Sequence, residues 1–357
     1  MKRRILVALT CVAAAPAQHP APKPAVHQAV ATAAADSGAA PQALLAAVPA
    51  GPLHDAVRRI LLKPYADATA TSLADPAWDG TAPEKLPSPR PDLVLLADGP
   101  LQAACRAGTV AKLDWARLDR DRYFTQAASD CGAGAYLMAT ALAWDRDKIS
   151  PPPTWSDFWD VARHPGRRAL PHAARGTLEI ALLADGVSPR DVYRTLRSAD
   201  GLDRAFRKLD QLKPYVQWWD QPSQPAQWLA SGKVLFTSAP AASIPPAGAA
   251  SHHHLGVQWS ASLLEAASWA IPQGAAHQAV AMLAIQIAGD AARQAELAQA
   301  VFVGPAVRDA VDLLPGATRA LVPAGPADLA GALVVDPAFW AESGEKLEQR
   351  FAAWLQK

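Results

Sequence analysis

Pro91-Asp92-Leu93-Val94-Leu95-Leu96-Ala97-Asp98-Gly99 is the stretch on which the fold turns. Its middle is apolar without alternation, which suits a strand buried on both faces, and the closing Asp-Gly marks a turn. The next segment, Leu101 to Gly108, has helical spacing and stops at a glycine. Strand-and-helix alternation recurs along the chain. Arg168 to Pro171 precedes a helix from Thr177 to Asp185, stopped by Gly186. A helix from Gln224 to Ala230 ends at Ser231-Gly232 and leads into the strand Lys233 to Ser238. Ser268 to Pro272 reads as a short strand before the helix Ala276 to Ala288. Upstream, Leu53, Ala56, Val57, Ile60 and Leu61 lie on one face of a helix running to Tyr65. This rhythm predicts an α/β fold with mostly parallel sheets. Ligands of such sheets bind beyond the carboxyl ends of the strands. That marks Asp98 with Gly99, Ser238 with Ala239, and the neighbourhood of Trp269.

The N-terminus has a different character. Lys2, Arg3 and Arg4 precede an uncharged run from Ile5 to Ala15, and Ala15-Pro16-Ala17 offers small residues for cleavage. The run is shorter than the roughly 20 residues of a bilayer-spanning helix, so residues 1–17 are expected to be a cleaved signal peptide. Cys11 lies too early for a lipoprotein signal. Residues 18–40, mostly Ala, Pro, His, Gln and Val, read as a tether. The mature chain is then expected outside the cytoplasm, and its length exceeds what one core usually holds, which predicts two lobes.

Charge argues against nucleic acid. Taking the three basic residues of the leader from the 34 Lys and Arg leaves 31 against 33 Asp and Glu, with no basic run. Cys105 and Cys131 remain once Cys11 is removed. In an oxidising compartment they form a disulfide or stay as two buried thiols. No Gly-x-Ser-x-Gly, His-Glu-x-x-His, Walker or dinucleotide fingerprint is present. Gly232-Lys233 is followed by Val234 where a phosphate loop needs Ser or Thr. Neither a catalytic set, a cofactor nor a metal is expected.

Three further features carry chemistry. His252-His253-His254 sits in an Ala/Gly/Pro-rich stretch, where extended neighbours point to opposite sides, so a solvated loop is the expectation. In Trp218-Trp219-Asp220, one ring can pack in the core while the other walls a cleft, or both can pack. Asp98 at a strand end suits a site or a helix cap. Arg175 and Glu179, four residues apart at a helix start, suit a local ion pair.

From Tyr123 onward the chain resembles the periplasmic solute-binding proteins of polyamine-type ABC importers. The residues that carry the likeness begin with Ser129-Asp130-Cys131-Gly132, Trp155-Ser156-Asp157-Phe158-Trp159-Asp160 and His164-Pro165-Gly166-Arg167-Arg168. Thr177 to Leu182, Ala184 to Val187, and Leu212-Lys213-Pro214 leading to Trp218-Trp219 continue it. Ala270-Ile271-Pro272, Phe339-Trp340 and Arg350 to Leu355 complete it. The resemblance implies two α/β lobes of the type II-like binding fold, joined by crossover strands around a ligand cleft, and it places Cys105 and Cys131 where some relatives pair cysteines. It also implies a putrescine- or spermidine-like ligand, which calls for carboxylates at each end and aromatic walls between. Here the chain departs. Ala173, Gly176 and Ala267 stand at the positions aligned with acids, and Pro49 and Pro240 at those aligned with aromatics. With a shift of a residue or two, Glu265 or Asp220 would substitute.

The resulting expectation is a monomeric periplasmic binding protein that delivers a small polar solute to an ABC permease. Lobe 1 is expected at 41–142 plus 267–308, and lobe 2 at 143–266 plus 309–357. Asp98, Gly99, Trp218, Trp219, Ser238 and Glu265 are the expected cleft residues. Two alternatives remain: a neutral or anionic ligand with Arg175 as carboxylate partner, and an accessory protein that has lost its ligand.

Overall fold

The computed structural model describes residues 43–76, 78, 80 and 86–357. The expected leader and tether lie outside the described residues. In chain order, β1 (Ala43–Ala47) leads to helix α1 over residues 54–69, then β2 (Ser72–Ala74), β3 (Leu93–Ala97) and α2 (Asp98–Ala107). Next come β4 (Ala128–Ser129), β5 (Gly132–Asp145), α3 (Trp155–Trp159), β6 (Arg168–Pro171), α4 (Ala174–Ala184) and α5 (Ala199–Leu212). They are followed by β7 (Val216–Trp219), α6 (Gln224–Ala230), β8 (Phe236–Pro240), α7 (Ile244–Ser251) and β9 (Leu255–Ala270). Helices α8 (Gln278–Ala288) and α9 (Ala291–Val301), β10 (Leu333–Val334) and α10 (Pro337–Leu355) complete the named elements.

The strands join in the order β2-β1-β3-β9-β5-β8-β6-β7, with β10 paired to β9 and β4 to β5. The α/β class holds, but the sheet is mixed. Five strand pairings are parallel and four antiparallel among the described residues. The difference comes from two long antiparallel strands. The segment expected as a short strand, Ser268 to Pro272, is the end of β9, and β5 was not expected at all. Both are rich in Ala, Gly and Ser, residues that β-propensity disfavours. Burial on both faces makes their small side chains useful. A Cβ on Gly134 would lie 2.5 Å from the Cβ of Ala127 and 2.8 Å from that of Ala306, so only glycine lets the chain approach this closely.

The two long strands lie side by side in the middle of the sheet and join its two halves. Residues 133–140 of β5 pair with 263–269 of β9, beside β3. Residues 140–144 pair with β8, and 142–145 with 255–258 of β9. Between the two stretches the register jumps, and β9 carries Ala261 at φ +56.

The opening stretch behaves as its pattern predicts. Leu93 and Leu95 enter one core while Val94 and Leu96 enter another on the opposite face, and all four are buried. Gly108 at φ +68 closes α2. A separate core gathers Phe158, Leu178, Phe236, Phe339 and Phe351. Helix α10 contributes Phe339, Trp340, Leu347, Phe351 and Trp354 along one face. Its start is capped by Asp336, which accepts from the N–H groups of Ala338 and Phe339 at 2.9 and 3.0 Å, a contribution of about 1 kcal/mol.

Cys105 in α2 is bonded to Cys131 just before β5, across a separation of 26 residues. Replacing both with alanine is expected to lower unfolding stability by about 3 kcal/mol, measured by urea titration of oxidised wild type against the double variant.

Candidate functional site

The chain leaving β6 bends before it becomes a helix. Within α4, Arg175 has extended dihedrals (φ −63°, ψ 131°) and Gly176 is at φ +84, so regular helix begins at Thr177, the residue the sequence marks. Gly176 suits this position because other residues are strained at that φ. Two carboxylates secure the bend. Glu348 of α10 accepts from the N–H groups of Ala174 (2.8 Å) and Arg175 (3.2 Å). Glu179 accepts from the Gly176 N–H at 2.8 Å, the Tyr193 hydroxyl at 2.8 Å and the Trp340 indole at 2.7 Å.

The expected Arg175–Glu179 pair therefore does not form. Glu179 points inward with no exposed surface, and burial pushes its carboxyl pKa up against the pull of its hydrogen-bond donors. Arg175, freed by the bend, reaches across to Glu265 of β9 and forms an ion pair with it. Both side chains are partly exposed, at 39% and 28%, so the pair borders solvent rather than sitting in the core.

Asp98 completes the cluster. It opens α2, and its carboxylate accepts the N–H of Ala266, next to Glu265, at 2.7 Å. Burial raises its pKa to about 6. The Ala266 N–H opposes that shift, the Glu265 charge adds to it, and Arg175 counteracts it. Asp98 and Glu265 thus both lie within electrostatic reach of the Arg175 guanidinium, which pairs with Glu265. Gly99 follows in the first turn of α2, where a Cβ would meet nothing within 4 Å.

The remaining expected residues are placed apart from this triad. Trp218 and Trp219 project to opposite faces of β7. Trp218 packs edge-on against Phe351 and Trp354 of α10, at 5.6 and 6.0 Å between ring centroids. Trp219 sits against the larger core and donates its indole N–H to the Ser238 carbonyl at 3.1 Å. Ser238 itself is fully buried, and its hydroxyl makes no hydrogen bond. Strand β8 continues two residues further, so Pro240 rather than Ser238 reaches open space. His172, just after β6, donates its backbone N–H to Trp219 and lies 2.9 Å from Asp220 through its ring.

A cavity of about 470 Å³ lies between α1 and α9 on one side and the β8–α7 connection on the other. Its walls include Pro52, Met138, Pro222, Pro240, Val301 and Phe302, and no charged side chain lines it. Met138 is the direct register partner of Glu265, so the cavity and the charged triad are neighbours on the crossover strands. The combination is a polar cluster beside an apolar hollow, the usual make-up of a small-molecule site. Glu348 and His172 were not foreseen. Glu348 acts through contacts between distant parts of the chain, which no local pattern reveals.

Comparison with known proteins shows the family. Residues 80–324 match the model of the bacterial extracellular solute-binding protein family. The chain is 38% identical over 268 residues to a gamma-aminobutyric acid-binding protein of Pseudomonas aeruginosa, covering 74% of this chain and 76% of that one. Among solved structures it resembles the Atu4243–GABA receptor, with a TM-score of 0.74, 25% identity and coverage of 87% of this chain and 97% of that one. A spermidine/putrescine-binding protein from Streptococcus pneumoniae has a TM-score of 0.73 with 15% identity, over 88% of this chain and 100% of that one. That last likeness shows the two-lobed fold and not the ligand. The polyamine emphasis of the sequence resemblance thus gives way to a broader statement: the chain belongs to the bacterial extracellular solute-binding proteins of ABC transporters, which bind small molecules for permease subunits and are not enzymes.

Proposed function

We propose that the chain is the periplasmic binding component of an importer for a small ω-amino acid of the γ-aminobutyrate type. The observation that carries this is the Arg175–Glu265 ion pair with Asp98 beside it, one cation flanked by two carboxylates. A zwitterion matches such a set: its carboxylate pairs with Arg175, and its ammonium takes the place of the guanidinium beside Glu265 and Asp98. A polyamine matches it poorly, because Arg175 repels a second ammonium. The ligand named for the Pseudomonas relative supports the same class. Gly99 lets the chain approach the ligand, and the apolar cavity with Pro240 flanks its methylenes, while Trp219, bonded to the carbonyl of the buried Ser238, backs that wall. Trp218 supports the wall from behind.

In this reading the lobes divide at 41–142 plus 267–308 and 143–266 plus 309–357, which sets Asp98 and Arg175 on opposite lobes. Ligand contacts to both then favour the closed state. The leader fits export to the periplasm, where we take the protein to act as a monomer.

Thermal melts of the mature protein with γ-aminobutyrate, glutamate, putrescine and spermidine, each near 1 mM, separate the readings. A ligand at 100 times its Kd adds about 2.7 kcal/mol of stability, so γ-aminobutyrate is expected to raise the melting temperature clearly. Stabilisation by putrescine alone would restore the polyamine ligand, and a flat response across the panel would favour an accessory role.

Arg175→Ala is expected to weaken γ-aminobutyrate binding by about 30- to 100-fold, the loss of a charge-assisted contact of roughly 2–3 kcal/mol, measured by calorimetric titration.

Asp98 sets the pH dependence. Its anion is the form that holds an ammonium, so binding is expected to be constant above pH 7 and to weaken by about tenfold at pH 5. Asp98→Asn should bind weakly at every pH. Because the folded-state pKa lies above the unfolded value, the proton stabilises the fold, and that stabilisation is lost as pH rises through about 6. Without ligand, Asp98→Asn should therefore melt higher than wild type at pH 7.5 and about equally at pH 4.

A further inference from the structure

The three consecutive histidines, expected to be a solvated loop, do not point alternately outward. His252 ends α7 in the left-handed region at φ +59. The His253 N–H bonds back to Gly248, and the Leu255 N–H turns to the His253 carbonyl. These turns break the extended alternation. His253 and His254 both face the end of β5, where the chain runs Asp145-Arg146-Asp147-Lys148.

Asp145 is the unusual member. It is the last residue of β5 and is only 1% exposed. One carboxylate oxygen accepts the Asp147 N–H at 3.0 Å. The other, Oδ2, is buried and receives no hydrogen bond. His253 Nδ1 lies 3.2 Å from it and the half-exposed Lys148 ammonium 3.3 Å from it, both out of hydrogen-bond alignment. His254 Nδ1 stands 2.8 Å from an oxygen of Asp147. One atom each from Asp145, Asp147 and His253 lies within 4.8 Å of the others.

We propose that Asp145, Asp147 and His253 bind a divalent transition-metal ion of the zinc class. Lys148 and His253 lie close to this buried oxygen without donating a hydrogen bond to it, so its lone pairs go unused where that is costly, and a metal ion bound directly by it would use them. The donor chemistry selects the metal. Calcium takes six to eight oxygens, and magnesium prefers oxygen ligands and waters in octahedral order. Two carboxylates with an imidazole suit zinc, nickel or copper, and zinc is satisfied by four ligands. His254 or a water completes the set, and the Lys148 side chain swings into solvent. Asp147 and His253 are exposed enough to close the remaining distance. The ion would tie the turn after β5 to the entry of β9, at the end of the sheet where Asp145 pairs with Leu255. This site is independent of the solute proposed above.

Calorimetric titration of tag-free, chelator-treated mature protein with zinc chloride at pH 7.5 tests this, with magnesium chloride in parallel and the melting temperature as second readout. One equivalent of zinc is expected to bind and raise the melting temperature, while magnesium leaves it unchanged. His253→Gln, at a part-exposed side chain, and Asp147→Asn, at an exposed one, should each weaken zinc binding about tenfold or more and keep the metal-free melting temperature of wild type. No zinc binding at 0.1 mM overturns the proposal. So does zinc affinity that is unchanged in both variants, or magnesium affinity equal to that of zinc.

Discussion

Everything in this fold depends on the antiparallel ladder between β5 and β9. β9 pairs with β3 on one side and β5 pairs with β8 on the other, so the ladder between them fixes how β3 with α2 stands relative to β8, β6 and α4. Register is the critical quantity, because a shift by one residue turns every side chain to the other face. With the observed register Glu265 lies opposite Met138 and its neighbour Ala266 donates to Asp98. Shifted by one residue, the carboxylate would leave the cleft. The jump near Ala261 lets one ladder serve two differently oriented ends without distorting either.

On this ladder the site rests on compensated charge. Asp98 alone is costly where it sits, as its raised pKa records. Arg175 offsets part of that cost and reaches its position only because the chain bends at Gly176. The bend in turn depends on two carboxylates that touch no ligand in the proposed scheme: Glu348, holding two backbone N–H groups, and Glu179, enclosed among Tyr193, Trp340 and Gly176. In the proposed scheme a solute entering the cleft exchanges one set of ion pairs for another, and selectivity between a zwitterion and a dication would follow from a single arginine.

The sequence made some of this legible and hid the rest for physical reasons. Runs of large apolar residues announced β3 and, with an error of a few residues, β8. Periodicity located α1, α2, α6 and α8. The Ala- and Gly-rich strands escaped because their side chains carry almost no pattern. Asp98 was legible as an acid at a strand end, and Glu265 only as the acid that a shift in the family alignment would put in place of Ala267. Arg175 was visible too, but a helix-surface rule assigned it to Glu179, since nothing local announces a non-helical bend within a helix start. The tryptophan pair posed a question that only packing answers, and α10 supplies that packing for Trp218. The histidine run lies in an exposed turn as expected, but a left-handed residue cancels the alternation on which the reading relied.

Asp98, Arg175, Glu265 and Glu348 come from four separate elements: α2, α4, β9 and α10. If the proposed site is the one that binds, no fragment of the chain would hold enough of it to attract a solute, and capture would serve as a test of completed folding: only a finished molecule would load and present cargo to a transporter.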